Sequence, residues 1–242
     1  MIRHVLTAAV VLASATGFLT AQEAAPARIE LRMLAFSPDL QKKEAYAHDP
    51  LADAAASAVP APIKTYLNHE FSTVILKSRK VVFTTNKERE SLKNDAEVIG
   101  EVTLPEGAKS AILLFLPGKD KTHSRIMAIH DSKRAFPAGS IHVTNLSPLP
   151  VKLMLESKQF DFKPGQTTLI EDPPTGESGQ SAMRTFVFKN NAWSPVATGL
   201  WQHPGDARSV RVLFQNPNAG EVQLRAFDDI PPRSPQDATA AP

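Results

Sequence analysis

The sequence predicts an all-β protein: two tandem Ig-like β-sandwich domains behind a signal peptide. Three observations carry this reading. Short runs of alternating apolar and polar residues recur between turn-forming clusters along most of the chain. Proline is abundant at 20 of 242 residues, about 8% against an ordinary share of roughly 5%. The third is an internal repeat, in which "GEVTLPEGAKSAILLF" at 100–115 aligns without a gap to "GLWQHPGDARSVRVLF" at 199–214.

The N-terminus comes first. Arg3 and His4 precede the uncharged "VLTAAVVLASATGFL", and small residues in "TAQ" place a cleavage after Ala21. Residues 1–21 therefore read as an export signal, with an uncleaved anchor as the alternative. The apolar stretch falls short of the roughly 20 residues that a membrane span needs. The expected location is periplasmic or extracellular, with no integral span after signal removal.

Beyond the signal, 26 basic side chains face 25 acidic ones. So even a balance gives no purchase on polyanions, and nucleic acid is not an expected partner. There is no cysteine. Disulfides, thiolate metal sites and cysteine nucleophiles are excluded, and the cores must hold by packing alone.

"RIELRMLAF" alternates Ile29, Leu31 and Met33 with charged neighbours and reads as the first strand. "DLQKKEAYAHDPLADAAASAV" has helical character interrupted by Pro50, so 39–70 reads as an insertion carrying a short helix, or as a mobile loop. "STVILKS" and "KVVFTT" read as a hairpin joined through "SRK". "SAILLFLP" is apolar on both faces, which predicts a strand covered from two sides, and "SRIMAIH" follows.

Between 136 and 171, four short strands succeed one another. Ile141 and Val143 form one face of the first. Pro148 and Pro150 stop the ladder, because proline has no N–H to donate. "NLSPLP" is thus a strand end and a corner, not a recognition motif. Val151, Leu153 and Leu155 resume, and "KPGQ" turns the chain into "TTLIE". "RTFVFKN", "SVRVLFQ" and "EVQLRAF" complete the set. The predicted domains are 27–132 and 135–230, and the Pro-rich 231–242 reads as a disordered tail.

The repeat extends further. After one deletion, "IMAIHD" (126–131) resembles "LRAFDD" (224–229), and "AFSP" (35–38) resembles "NLSP" (145–148). Two copies about 100 residues long, each ending in the same turn-strand-strand unit, indicate tandem domains.

No catalytic constellation stands out. The seven histidines form no HxH or HExxH arrangement, and His69 in "YLNHEF" lacks a second histidine four residues on. His123, His130 and His142 lie around the domain boundary, but residue type alone makes no metal site. "GESGQS" fails the G-x-S-x-G pattern at Gln180 and lies in a Pro/Gly-rich loop. Asp228 and Asp229 are adjacent on a strand, so they point to opposite faces and read as solvated residues at a strand end. Asp49 and Asp53 lie in the insertion. No cofactor, metal or catalytic residue is expected.

Two candidate binding features remain. Trp193 and Trp201 would share one face of an uninterrupted strand, and together could form a stacking platform for sugar. Pro195 and Gly199 argue against an uninterrupted strand, and burial in the core is the plainer account of each indole. "KSRKVVFTTNKERESLK" offers Lys77, Arg79 and Lys80 to an acidic envelope polymer; a solvated edge is the plainer account there.

"AFPAGSIHVTNLSPLPVKLMLESKQFDFKPGQTTLI" and "RIELRMLAFSP" resemble uncharacterised exported bacterial proteins built from β-sandwich units, whose signature runs "FPAG…N-S-P" and then "PGQ". That resemblance implies the fold and export, and no catalytic residues. A looser similarity is to two-domain periplasmic assembly chaperones, which grip a subunit's terminal carboxylate with a paired Arg and Lys; no equivalent pair aligns in this chain.

The expected function is an exported, non-catalytic envelope protein that binds a protein or polysaccharide partner through a sheet edge or inter-domain groove. The alternatives are an extracytoplasmic hydrolase whose acids meet only in the fold, recognisable by carboxyls of raised pKa in a cleft, and a purely structural surface protein.

Overall fold

The computed structural model describes residues 26–53, 56–67, 69–118 and 122–231. The predicted signal peptide and all of the predicted tail beyond Pro231 lie outside the described residues. The first eight strands are β1 (Ala27–Ala35), β2 (Tyr46–His48), β3 (Val59–Pro60), β4 (Ser72–Leu76), β5 (Lys80–Thr84), β6 (Val98–Thr103), β7 (Ser110–Leu116) and β8 (Arg125–His130). They make two sheets, ordered β4-β1-β7-β8 and β3-β2-β5-β6. The next eight are β9 (Ile141–Asn145), β10 (Val151–Leu155), β11 (Lys158–Phe162), β12 (Thr167–Ile170), β13 (Gln180–Lys189), β14 (Ala192–Gln202), β15 (Arg208–Gln215) and β16 (Val222–Asp229). Their sheets run β12-β9-β15-β16 and β11-β10-β13-β14. Each order in the second sandwich is that of the first with eight added, including the parallel pairs β1–β7 and β9–β15. The fold is all-β, two sandwiches of one topology.

Strand alternation sorts the side chains into three cores. Ile29, Leu31 and Met33 of β1 and Ala111, Leu113 and Phe115 of β7 face β5 (Val81, Phe83) inside the first sandwich. Val143, Leu153, Leu155 and Trp201 fill the second. The third core lies between the sandwiches, where Leu34, Phe36, Ile112, Leu114 and Leu116 meet Phe136, Val210, Val212 and Phe227. β7 is therefore buried on both faces, as its sequence predicts. Each fully buried Leu, Ile or Val in this seam contributes about 1.5–3 kcal/mol, so the two sandwiches are fastened as a core is.

The "NLSPLP" corner is built around a buried amide. Asn145 Nδ2 donates to the Leu149 carbonyl at 2.8 Å, and its Oδ1 accepts from the Ser147 backbone N–H at 3.0 Å and hydroxyl at 2.7 Å. These bonds satisfy the chain where the prolines end the ladder and it crosses from β9 to the opposite sheet.

Three expectations are corrected. Residues 39–70 form no α-helix among those described: after a 3-10 turn at Pro38–Leu40, β2 and β3 supply half of a sheet. Tyr46–His48 is held extended by cross-strand pairing with β5, and tertiary pairing of this kind overrides local helix propensity. β4 and β5 are not a hairpin; β4 pairs with β1, and β5 with β2 and β6, so "SRK" carries the chain from one sheet to the other. Both strands are apolar towards the same core, which only facing sheets can provide. Finally, Asp229 is buried at 3% exposure rather than solvated, because another sandwich covers its strand end.

The repeat is real in topology and shifted in facing. Pro105 and Pro204 each open a turn closed by the N–H of Ala108 or Ala207. The positive-φ glycine is third in one turn (Gly107) and second in the other (Gly205). Beyond it, Ala111 faces its own sandwich, whereas its aligned partner Val210 faces the seam.

Candidate binding surfaces

At one end of the seam, four ionised side chains from both sandwiches meet. The Arg32 guanidinium donates to Asp229 through Nη1 (2.7 Å) and Nη2 (2.9 Å), and to Asp131 through Nε at 2.9 Å. Arg208 adds Nε to Asp229 at 3.0 Å, an ion pair from Nη2 to Asp131 at 2.8 Å, and a bond to the Phe136 carbonyl. Burial by itself would raise the Asp229 pKa; the hydrogen bonds and charges of Arg32 and Arg208 more than reverse that, and hold it below the usual carboxylate range. Burial likewise pulls Arg32 down, and the two aspartates lift it above its ordinary value.

Thus two acids do meet only in the fold, in a cleft that His69 also lines. Asp229 does not offer the raised-pKa carboxyl by which the hydrolase alternative would be recognised. A general acid needs a raised pKa, and the pKa of Asp229 is lowered. The cluster is an inter-sandwich clamp. The sequence carried two signals for it: Arg32 sits within an apolar strand on the Leu34 side, and the repeat aligns Asp131 with Asp229.

The other acid pair is also structural. Asp49 accepts the backbone N–H groups of Leu51 at 2.9 Å and Lys77 at 2.6 Å. Asp228 is bonded by the Ser209 hydroxyl and Asp229 points the opposite way, as adjacency on a strand requires. Among the described residues, no group of three His, Asp or Glu side chains is disposed to hold a metal ion. His123 bonds the Asp95 carbonyl at 3.1 Å, and His142 packs against Phe136.

The predicted basic contacts all have acidic neighbours. Lys77 reaches Asp53 at 3.0 Å, Arg79 approaches Glu106 at 4.0 Å, and Lys80 pairs with Glu101 at 2.7 Å. The three bracket the β4–β5 crossing, and their charge is locally balanced.

The tryptophans are separated. β14 runs unbroken through Pro195 and Gly199, but Val196 is an extra residue: Thr185 pairs with Ala197 and Phe186 with Pro195. A bulge of one residue reverses the facing of everything beyond it. Trp201 turns inward at 5% exposure, under the Arg211 guanidinium, while Trp193 turns outward at 40%. Trp193 stands beside Phe188 with ring centroids 5.3 Å apart, and Lys152 Nζ lies 4.4 Å from its centroid. Asp161, paired across from Lys152, and Arg184 share this outward face. The bulge has no reliable sequence signal beyond Pro195, which cannot donate to a ladder.

No family model matches the chain, and no curated protein matches it. Among solved structures, a "putative cell adhesion protein" from Bacteroides uniformis aligns at 8% identity over 84% of this chain and 97% of that one, with a TM-score of 0.16. At that score the alignment carries no argument about fold or function.

Proposed function

We propose that this chain is an exported envelope protein that binds a polysaccharide, without catalysis, on the outward face of the β11-β10-β13-β14 sheet. The observation that carries the reading is Trp193, an exposed indole braced by Phe188 and Lys152 and ringed by polar side chains. Sugar rings stack their C–H faces on such an indole while neighbouring donors and acceptors take the hydroxyls. Pro195 and the Val196 bulge on the outer strand work against addition of a partner's β-strand there, so a glycan suits this surface better than a peptide. Export rests on the basic, apolar and small-residue order of residues 1–21.

The test is affinity electrophoresis of the chain from Gln22 in gels containing isolated envelope polysaccharide. Retardation should occur, and Trp193→Ala should weaken it about tenfold or more, one to three kcal/mol being the ordinary worth of a stacked ring. Equal retardation of the variant would sink the proposal.

A further inference from the structure

The two ends of the seam treat arginine differently. Arg32 and Arg208 at one end are matched by two aspartates. At the other end an open cleft of about 630 Å³ is lined by Arg125 and Arg225, with Asp39 as its one carboxylate. Arg125 stands opposite Leu116, and Arg225 opposite Val212. Both neighbours belong to the seam, so both arginines stand on the seam-facing side of their sheets. Neither has an acidic side chain within ion-pair distance among the described residues.

Arg225 is held without being neutralised. It donates to the Phe36 carbonyl, and its guanidinium lies 4.8 Å from the Phe36 ring centroid and 5.8 Å from that of Phe214. Such stacking fixes a guanidinium in place and leaves its charge for a ligand. Beside it, Asn216 Nδ2 donates to Gln223 Oε1 at 3.1 Å, and Gln215 Nε2 to the Gly220 carbonyl at 2.8 Å. These bonds set the wall of the cleft, and Asn218, whose backbone N–H donates to Asn216 Oδ1 at 2.9 Å, completes it.

We propose that this cleft binds an acidic saccharide, whose carboxylate is taken by Arg125 and Arg225 and whose hydroxyls are taken by the amides. A guanidinium fork matches a carboxylate in shape and charge. Carboxamides, which both donate and accept, match a ring of hydroxyls. A volume of this size falls among small-ligand sites of about 300–1,000 Å³ and holds one or two sugar rings. The cleft lies apart from Trp193, and its assignment stands without that of the sheet face.

The experiment is isothermal titration of the chain from Gln22 with trigalacturonic acid, with neutral maltotriose and triglutamate as competitors of one feature each. Saturable binding is expected for trigalacturonic acid alone. It should weaken about tenfold in Arg125→Gln, an exposed position where folding is not at stake, and also on raising salt from about 0.05 to about 0.5 M. Lys87→Gln, an equal loss of charge elsewhere, should leave it unchanged. No saturable binding, or equal binding by Arg125→Gln, overturns the site. Equally tight binding of triglutamate overturns the saccharide class. Trp193→Ala reports on the sheet face alone, so the two assignments fail separately.

Discussion

The second sandwich has two outward sheet faces, and they differ in what lies on them. The face of β12-β9-β15-β16 carries His142, Val210, Val212 and Phe227 and is covered by the other sandwich. The face of β11-β10-β13-β14 carries Phe188, Trp193 and Leu200, exposed at 36%, 40% and 65%. Both are apolar, so hydrophobicity alone does not say which is an interface within the chain. Shape and neighbours do. The seam presents mainly aliphatic side chains that interlock with a second sheet, and its charges are confined to its ends. The open face mixes aromatic rings with Lys152, Arg184 and Asp161, a composition suited to a partner that arrives hydrated. The first sandwich supplies the control. On its corresponding outer sheet, His48, Val82 and Thr84 are buried, and the following loop helps to cover them: His48 and Thr84 both bond the Asn86 carbonyl. The second outer sheet instead leaves Phe188, Trp193 and Leu200 exposed.

Breaking the seam should cost most. Asp229→Ala leaves the buried Arg32 and Arg208 with Asp131 as the one remaining carboxylate of the cluster, and should lower stability by about 3–5 kcal/mol in urea denaturation. A loss below about 1 kcal/mol would mean that the hydrophobic seam holds without its clamp.

The seam should also carry a pH dependence that the open face lacks. Burial lowers the His142 pKa from 6.5 to about 4. The folded state therefore favours the neutral ring, and the unfolded state takes up a proton first. Stability is full above about pH 6.5 and declines as pH falls towards about 4, by roughly 3 kcal/mol in all. Asp229, held below the ordinary carboxylate range, adds its own loss only at lower pH. His142→Phe should flatten the decline between these limits in denaturation at a series of pH values. An unchanged slope would place the titrating group elsewhere.

The smallest effect belongs to the open face. Leu200→Ser should change stability by no more than about 0.5 kcal/mol, since that side chain is mostly exposed. A larger loss in the same urea assay would show that the two faces are less different than their exposure indicates.

Much of the sandwich architecture was legible because a half-buried strand writes its facing directly into sequence. β9 to β12 follow their alternation, and β7 announced its double burial by an unbroken apolar run. β2 and β3 were illegible because they are only three and two residues long, too short for a period to appear. The β4–β5 crossing was misread as a hairpin because a short polar connection serves either geometry. At the binding surfaces, both tryptophans were visible as residues, and the bulge that parts them was not. Arg125 and Arg225 drew no notice, since a lone arginine at a strand position reads as solvated.

Sequence by itself determined the β class and the duplication, both of which depend on local order along the chain. Tertiary structure decided which apolar face is seam and which is surface, which aspartates are clamped, and which arginines stand without an acid among the described residues. Those outcomes depend on what lies across a gap from residues about 100 to 200 positions away, and Coulomb and packing energies follow that distance in space rather than in sequence.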